Sequence, residues 1–281
     1  MVVFHADLHT HSTASDGLYP PTTLVRMAHE AGLTIIALTD HDSTEGVAEA
    51  QVTGAELDIE VIPGAEINTD LPHGGGEAHV LGYFLRWQDP VFQDALRQRR
   101  SERETRGQQM VVRLQAMGVP ITWEHVLRHA DGAVGRPHVA AALVELGAAT
   151  SVADAFDRYV GRGKPGYVSR TPFTPSQAVA LIRSVGGVAV LAHPAGIANL
   201  PQHLSDLVTV GLGGLEVYYG TYNMETVGHL RELAEQFNLI PTGGSDYHGP
   251  GIHPTPLGGQ PPLPEVSLLA LRQAAAAMPP P

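Results

Sequence analysis

Nine side chains of the kinds that bind metal ions recur through this chain in short, spaced clusters. Imidazoles and carboxylates are common protein ligands of divalent metals. The nine comprise six histidines and three acidic residues: His9, His11, Asp16, His41, Glu66, His79, His193, Asp246 and His248. One tetrahedral or octahedral ion cannot use so many donors, and the set therefore predicts a site for two or three ions.

Most of these clusters follow apolar runs that predict β-strands. Side chains alternate across a strand, so His9 and His11 should point to the same side. In α/β barrels the active site lies at the carboxyl ends of the strands, and we expect the donors to meet there. His79 stands at the start of its predicted strand and does not fit this rule. Glu216, within the sixth predicted strand, is expected to support the site or to lie in the core.

Composition limits the classes of protein and of site. A chain of 281 residues is compatible with a single α/β barrel carrying an elaboration. The absence of cysteine excludes disulfides, thiolate metal sites and a cysteine nucleophile, and fits a reducing compartment. We find no secretory signal pattern and no apolar run of about 18 residues. We therefore expect a cytoplasmic protein with no membrane association and no stable protein partner.

Charge is distributed unevenly along the chain. The net charge of −12 argues against the wrapping of long nucleic acids. Twelve of the 17 basic residues nevertheless fall within residues 97–170, and a basic segment near bound cations suits a small or short anionic ligand. For the arginines between Arg97 and Arg106, the favoured alternative is a solvated helix face with Glu–Arg pairs along the helix.

Predicted strands and helices alternate along the chain. The strands are placed at residues 2–8, 34–39, 61–67, 79–84, 188–192, 214–219 and 239–243. The helices are placed at residues 21–31, 44–57, 175–185, 200–210, 224–237 and 264–277. Such alternation predicts parallel strands with right-handed crossovers, and seven of them predict an α/β fold built as a distorted (β/α)7 barrel.

The alternation is interrupted after the fourth predicted strand. Residues 91–165 contain several predicted helices and no predicted strand, and Pro and Gly residues punctuate both boundaries. We expect this segment to form a helical insertion that caps the substrate site. The barrel would then consist of residues 1–90 and 166–281.

The sequence motifs resemble those of the PHP family, named for polymerase and histidinol phosphatase. The resemblance rests on Asp7 to His11, Thr39 to His41, His193 with Pro194, and Asp246 with His248, together with the intervening Glu66 and His79. It implies a distorted seven-stranded barrel that binds two or three divalent metals.

The resemblance also implies how the nine donors would be shared. One ion would be held by His9, His11, Glu66 and Asp246, a second by Glu66, His79 and His193, and a third by Asp16, His41 and His248. Asp16 stands where other members carry histidine, which makes the third site richer in oxygen. We expect Mn²⁺, with Fe²⁺, Zn²⁺ and Mg²⁺ as alternatives.

The predicted insertion points to a branch of the family. Its segments at residues 135–138 and 155–168 resemble the branch that contains the 3′,5′-nucleoside bisphosphate phosphatases and a related 5′-3′ exoribonuclease. Arginine offers a bidentate fork for phosphate, and lysine offers a compact charge. We therefore expect Arg136, His138 and Lys164 to bind a 5′-phosphate remote from the reacting group.

Together these features predict a metal-dependent phosphoesterase that removes the 3′-phosphate of nucleoside 3′,5′-bisphosphates, such as adenosine 3′,5′-bisphosphate. Bound ions would activate a water and neutralise phosphoryl charge. The predicted catalytic residues are His9, His11, Glu66, Asp246 and His248. The alternatives are a 5′-3′ exoribonuclease acting on short 5′-phosphorylated RNA, a small-metabolite phosphatase such as a histidinol phosphatase, and a non-enzymatic PHP module. The last is disfavoured because all nine ligand positions are filled.

Overall fold

The computed structural model describes residues 5–72, 75–130, 134–169, 172–252, 254–259 and 261–278. Within them, seven strands form one sheet in chain order. The strands are β1 (Ala6–Thr10), β2 (Ile35–Leu38), β3 (Glu60–Asp70), β4 (Glu77–Tyr83), β5 (Val188–Leu191), β6 (Gly214–Tyr219) and β7 (Ile240–Gly244). The start of the first predicted strand, residues 2–4, lies outside the described residues, as does Arg170 of the basic segment.

Ten α-helices are described around and beside this sheet. They are α1 (Pro21–Glu30), α2 (Val47–Leu57), α3 (Pro90–Ala116), α4 (Trp123–Leu127), α5 (Arg136–Glu145), α6 (Val152–Ala155), α7 (Pro175–Ser184), α8 (Leu200–Thr209), α9 (Met224–Gln236) and α10 (Glu265–Ala276). A π-helical turn, Phe156–Val160, continues α6. None of the helices among the described residues combines the length and apolar character needed to cross a membrane.

The sheet curves so that β1 and the residue after it contact the segment that follows β7. The backbone N–H of His11 donates to the carbonyl of Tyr247 at 3.0 Å, and Thr10 forms a parallel bridge with Tyr247. Strands β1 to β3 are parallel to one another, and so are β5 to β7. The predicted α/β class and seven-stranded barrel are therefore confirmed.

The expectation that all strands run parallel was wrong for β4. This strand is antiparallel to both β3 and β5, with Asn68 opposite His79 and Val80 opposite Leu191. The connection between β3 and β4 is short, and a short connection favours an antiparallel pair because a parallel one needs a long crossover. Reversal brings the start of β4 to the carboxyl end of its neighbours. His79 is near the start of its own strand but therefore lies at the same end of the barrel as the other donors.

Helices pack on the outside of the barrel through apolar stripes. Helix α1 buries Leu24, Val25 and Ala28, spaced so that they share one face. Helix α7 starts at a capping box in which the Thr174 hydroxyl accepts the Gln177 N–H and the Gln177 side chain accepts the Thr174 N–H. These fixed helices hold the strands, and with them the loops at the carboxyl end.

Helices α3 to α6 follow β4, where the sequence predicts the helical insertion. They share a hydrophobic cluster that includes Leu114, Ile121, Val139 and Leu143, all inaccessible to solvent. The division into a barrel of residues 1–90 and 166–281 and a cap of residues 91–165 stays a prediction. Helix α3 also lies against the barrel loops through its arginines, as described below.

Candidate metal centre

The nine predicted ligands meet at the carboxyl end of the barrel. Three groups of donor atoms form there, each with all its atoms within 4.8 Å of one another. The groups are His9 with His11, Glu66 and Asp246; His41 with Glu66 and His79; and His11 with Asp16, His41 and His248. The first grouping implied by the family resemblance recurs unchanged. The grouping of Asp16, His41 and His248 recurs with His11 added.

The second grouping differs from the one that the resemblance implies. His41 takes the place that His193 was expected to hold beside Glu66 and His79. His193 nonetheless lies close by, with its Nε2 3.2 Å from Glu66 Oε1. All nine residues therefore belong to one continuous cluster, and His41 stands between two groups.

Glu66 is the centre of this cluster. Its Oε2 lies 3.4 Å from His9 Nε2, 3.3 Å from His11 Nε2 and 3.0 Å from His41 Nδ1. Its Oε1 lies 2.8 Å from His79 Nδ1 and 3.2 Å from His193 Nε2. A carboxylate with histidines around both oxygens has the geometry of a bridging ligand between two ions.

Asp246 completes the group that contains His9, His11 and Glu66. Its Oδ1 lies 3.2 Å from His9 Nε2 and 3.1 Å from His11 Nε2. The Tyr219 hydroxyl donates to Asp246 Oδ2 at 2.8 Å, which fixes the direction of the carboxylate. Asp246 has a φ of 55°, and a non-glycine residue held in this left-handed region often marks a functional constraint.

The third group is built around Asp16. One of its oxygens lies 3.3 Å from His248 Nε2 and 3.9 Å from His11 Nδ1, and the other lies 3.8 Å from His41 Nε2. These separations are longer than direct hydrogen bonds and leave room among the donors. The group has three imidazoles and one carboxylate, because His11 joins the three residues expected for the third site. Asp16 supplies the oxygen donors that make this group richer in oxygen than a group of histidines alone.

Buried donor atoms without hydrogen-bond partners test whether metal ions fit here. Among the described residues, His9 Nε2, both ring nitrogens of His11, Asp16 Oδ1 and Glu66 Oε2 are buried and make no hydrogen bond. Buried polar atoms in proteins are nearly always satisfied. The exceptions at this site all belong to predicted metal ligands, and bound cations would satisfy them. The donor set therefore fits divalent metals.

The electrostatics of the cluster favour bound cations. Burial favours the neutral form of His11, but contacts with Asp246 and Glu66 outweigh burial and raise its pKa to about 10. Burial likewise opposes the charged form of Asp246, while His9, His11 and His248 outweigh it and hold its pKa well below the usual range. The proton on His11 thus offsets carboxylate charge, and metal ions would take the place of that proton.

Glu216 contacts two of the predicted ligands, His9 and His193. It is fully buried on β6, where its Oε1 lies 2.8 Å from His9 Nδ1 and its Oε2 accepts the backbone N–H of His193 at 2.7 Å. His193 has a φ of 29°, and this hydrogen bond stabilises that unusual backbone. The supporting role expected for Glu216 is confirmed. A carboxylate on the distal nitrogen of a ligand histidine orients the ring and increases its basicity.

The arginines between Arg97 and Arg106 do not form a solvated helix face, and that expectation was wrong for Arg99, Arg100, Arg103 and Arg106. Arg99 Nε donates to Asp42 Oδ1 at 2.7 Å, and Arg103 Nη1 donates to Asp42 Oδ2 at 3.1 Å. Arg106 is buried and donates to the carbonyl of Val168 at 2.6 Å. Spacing along one helix shows which arginines share a face, but not that a buried carboxylate lies opposite. Arg97 alone fits the expectation, as an exposed pair with Asp94.

A cavity opens beside the cluster. Its lining includes the predicted ligands Asp16, His41 and His79 and the arginines Arg103, Arg106 and Arg136. Arg136 is the first residue of α5 and pairs with Glu77 of β4, which also lines the cavity.

The other two predicted phosphate ligands lie elsewhere. His138 is buried, and its Nδ1 accepts the backbone N–H of Gly135 at 2.9 Å, which fixes the start of α5. Lys164 is exposed and donates to Asp157 at 3.1 Å. The cavity lining, within the part of the chain that the structure describes, includes Arg136 but neither of these two. Direct phosphate binding by His138 and Lys164 stays a prediction.

Comparison with known proteins places these features in a family. The profile of the PHP domain matches residues 7–116. The chain is 37% identical over 258 residues to the 5′-3′ exoribonuclease Rnm of Salmonella typhimurium, with 87% of this chain and 85% of the relative covered. It is 33% identical to the 3′,5′-nucleoside bisphosphate phosphatase of Chromobacterium violaceum, with 87% of each chain covered.

The fold agrees with a solved structure as well. A protein of Bifidobacterium adolescentis, described as a metal-dependent phosphoesterase, superposes with a TM-score of 0.87 at 30% identity, covering 97% of this chain and 96% of that one. Extended sequence identity, the shared fold and the converging ligand motifs agree. This chain belongs to the PHP family.

Proposed function

We propose that this protein removes the 3′-phosphate of nucleoside 3′,5′-bisphosphates, with a nucleoside 5′-monophosphate and phosphate as products. The observation that carries the proposal is a cavity lined both by predicted metal ligands such as His79 and by arginines that include Arg136. A substrate with two phosphates, one reacting and one remote, matches these two kinds of lining residue.

The broader activity follows from the family: the chain is a metal-dependent phosphoesterase. The finer choice of substrate is supported by the relative from Chromobacterium violaceum, which is a bisphosphate phosphatase at 33% identity. We propose all nine clustered residues as metal ligands, with Mn²⁺ as the preferred ion and Fe²⁺, Zn²⁺ and Mg²⁺ as alternatives. A cytoplasmic location and the lack of a stable protein partner remain part of the proposal.

Bound divalent ions would supply a Lewis acid and an activated water for attack on phosphorus. The catalytic roles fall to the residues that define this position: His9, His11, Glu66, Asp246 and His248. Glu66 would keep the ions at a fixed separation, because five imidazoles surround its two oxygens. Tyr219 and Glu216 hold ligands in place and touch no substrate atom in this scheme.

The remote phosphate would bind at the start of α5. Arg136 offers a planar fork that matches phosphate oxygens, and the N-terminus of a ten-residue helix favours an anion. Arg136 must exchange its partner Glu77 for the phosphate, which makes binding dependent on the substrate charge. His138 would act by fixing this helix start.

A second candidate is the stepwise release of nucleotides from the 5′ end of short RNA. It is favoured by the 37% identity with an exoribonuclease of Salmonella typhimurium. The chemistry would be the same, because the bond cleaved is again an ester at the 3′ oxygen of a nucleotide that carries a 5′-phosphate. The two candidates differ in whether the cavity admits a continuing chain.

The test compares three substrates with the Mn²⁺-loaded protein. These are adenosine 3′,5′-bisphosphate, a 5′-phosphorylated oligoribonucleotide and histidinol phosphate. The proposal expects the highest kcat/KM for phosphate release from the bisphosphate. Faster release of nucleotides from the oligoribonucleotide would select the exoribonuclease, and a preference for histidinol phosphate would select a metabolite phosphatase. Turnover of none of the three would contradict all of these assignments.

A further inference from the structure

Asp42 is a buried carboxylate beside the metal centre that belongs to none of the three donor groups. It follows His41 directly in the chain and is inaccessible to solvent. Its φ of 48° puts it in the left-handed region, where a non-glycine residue is uncommon. A buried charge in a strained backbone is costly, so its surroundings must hold it firmly.

Three arginines of α3 converge on this one residue. Arg99 and Arg103 each donate to a different carboxylate oxygen of Asp42, at 2.7 and 3.1 Å. Arg100 donates to the Asp42 carbonyl at 3.0 Å. These arginines lie on adjacent turns of a single helix, so the helical segment holds both the carboxylate and the carbonyl of Asp42.

Asp42 in turn contacts the metal-ligand residues. Asn68 Nδ2 donates to Asp42 Oδ2 at 3.0 Å and lies 3.2 Å from His41 Nδ1. The Asp42 backbone N–H donates to the carbonyl of Glu66 at 2.9 Å. A continuous path of hydrogen bonds therefore joins α3 to His41, which stands between two donor groups, and to Glu66, which stands at the centre.

Stability alone does not account well for this arrangement. A buried ion pair often contributes no more to folding than well-packed apolar side chains of the same volume. The directional contacts do, however, restrict where His41 and Glu66 can lie. Removal of residues that orient metal ligands through hydrogen bonds commonly lowers metal affinity.

We propose that Arg99 and Arg103 are positioning residues of the metal centre, which act through Asp42 and Asn68 on His41. The helical segment thus completes the metal centre as well as bordering the cavity. This inference rests on the proposed metal ligands. It adds that a metal site on the barrel depends on two guanidinium groups from outside the barrel.

The test measures Mn²⁺ binding to metal-free protein by calorimetry, without substrate. Arg99→Ala and Arg103→Ala should each weaken binding of at least one ion about 10- to 100-fold. The conservative Arg103→Lys should recover part of the loss, because lysine restores the charge without the fork. Arg97→Ala is the matched control, since Arg97 lies on the same helix in an exposed pair with Asp94 and should bind Mn²⁺ as the wild type does.

Asn68→Ala keeps the experiment decisive if an arginine variant fails to fold. It leaves the arginine pairs with Asp42 intact and cuts the link to His41. Weakened Mn²⁺ binding at an unchanged Tm of the metal-free protein would support positioning. Affinities within about twofold of wild type in Asn68→Ala and in the folded arginine variants would overturn it.

The outcome for the wild type separates this inference from the assignment on which it rests. Binding of two or three ions with no effect in the variants would overturn the positioning role alone. Binding of fewer than two ions by the wild type would overturn the proposed centre itself. Neither result depends on which phosphate ester the protein hydrolyses.

Discussion

Glu66 Oε1 lies 2.8 Å from His79 Nδ1, across the antiparallel ladder between β3 and β4. The pairing exists because β4 runs against its neighbours and begins where they end. The other oxygen of Glu66 faces His9, His11 and His41. One carboxylate therefore joins donors from strands that run in both directions.

Glu66→Gln is predicted to lose more metal than Asp246→Asn. The amide loses the anionic charge that serves two donor groups, whereas Asp246→Asn alters only one group. Elemental analysis should show the loss of more than one ion in Glu66→Gln, and turnover should fall with it. Glu60→Gln, on the same strand but half exposed and paired with Arg272, should keep both metal and turnover. Equal metal content in Glu66→Gln and wild type would contradict the bridging role.

Arg136→Ala is predicted to discriminate between substrates. Loss of a charged hydrogen bond to the remote phosphate should cost about 1.5 to 3 kcal/mol of transition-state binding for a nucleoside 3′,5′-bisphosphate. A nucleoside 3′-monophosphate should lose far less, because it lacks the remote group. Ratios of kcat/KM measure both effects. Arg128→Ala, an exposed arginine paired with Glu145, serves as the control. Equal losses on the two substrates would assign Arg136 to structure or to the metals.

Metal binding is predicted to release protons. In the metal-free protein the pKa of His11 is raised to about 10, so its imidazole is protonated at neutral pH and must lose the proton to bind an ion. Mn²⁺ affinity should therefore increase as the pH rises towards 10. Calorimetric titrations in buffers with different ionisation enthalpies would count the protons released. Binding that releases no protons at pH 7 would contradict the charge state described here.

The ionisation of Asp42 is predicted to make the free energy of unfolding depend on pH in the acidic range. Burial would raise the pKa of Asp42, but Arg99 and Arg103 outweigh burial and lower it to about 2. In the unfolded chain the value is about 3.9. The stabilisation is therefore present above about pH 4 and is lost as the pH falls towards 2, with a magnitude of about 2 kcal/mol.

Denaturant unfolding of the metal-free wild type and Asp42→Asn at several pH values tests this. The difference between their free energies of unfolding should shrink as the pH falls from 5 to 2.5, because only the wild type titrates at this position. A difference that stays constant over this range would show that Asp42 is not ionised against the arginines.

The predicted ligand residues could be grouped from sequence because most of them follow apolar runs. His9 and His11 come directly after the first such run, whereas Asp16 lies further along the chain and His79 precedes its run. The direction of β4 was not predictable in the same way. An apolar run predicts a strand but carries no information on which way its neighbours run, and the short link to β3 was the only available signal.

The role of the α3 arginines required the three-dimensional structure. Arg99 and Arg103 are four residues apart and share a helix face, which the sequence shows. Their partner, Asp42, lies 57 residues before Arg99 and is buried only because β2 and β3 bring it to the barrel end. Long-range pairing of this kind leaves no periodic pattern in either segment.

The number of metal ions in the active protein tests the central claim most directly. Metal-free protein would be titrated with Mn²⁺ while bound metal and phosphate release from adenosine 3′,5′-bisphosphate are followed in the same samples. The account predicts that full turnover is reached only when two or three ions are bound per chain. Full turnover with at most one ion per chain would contradict it.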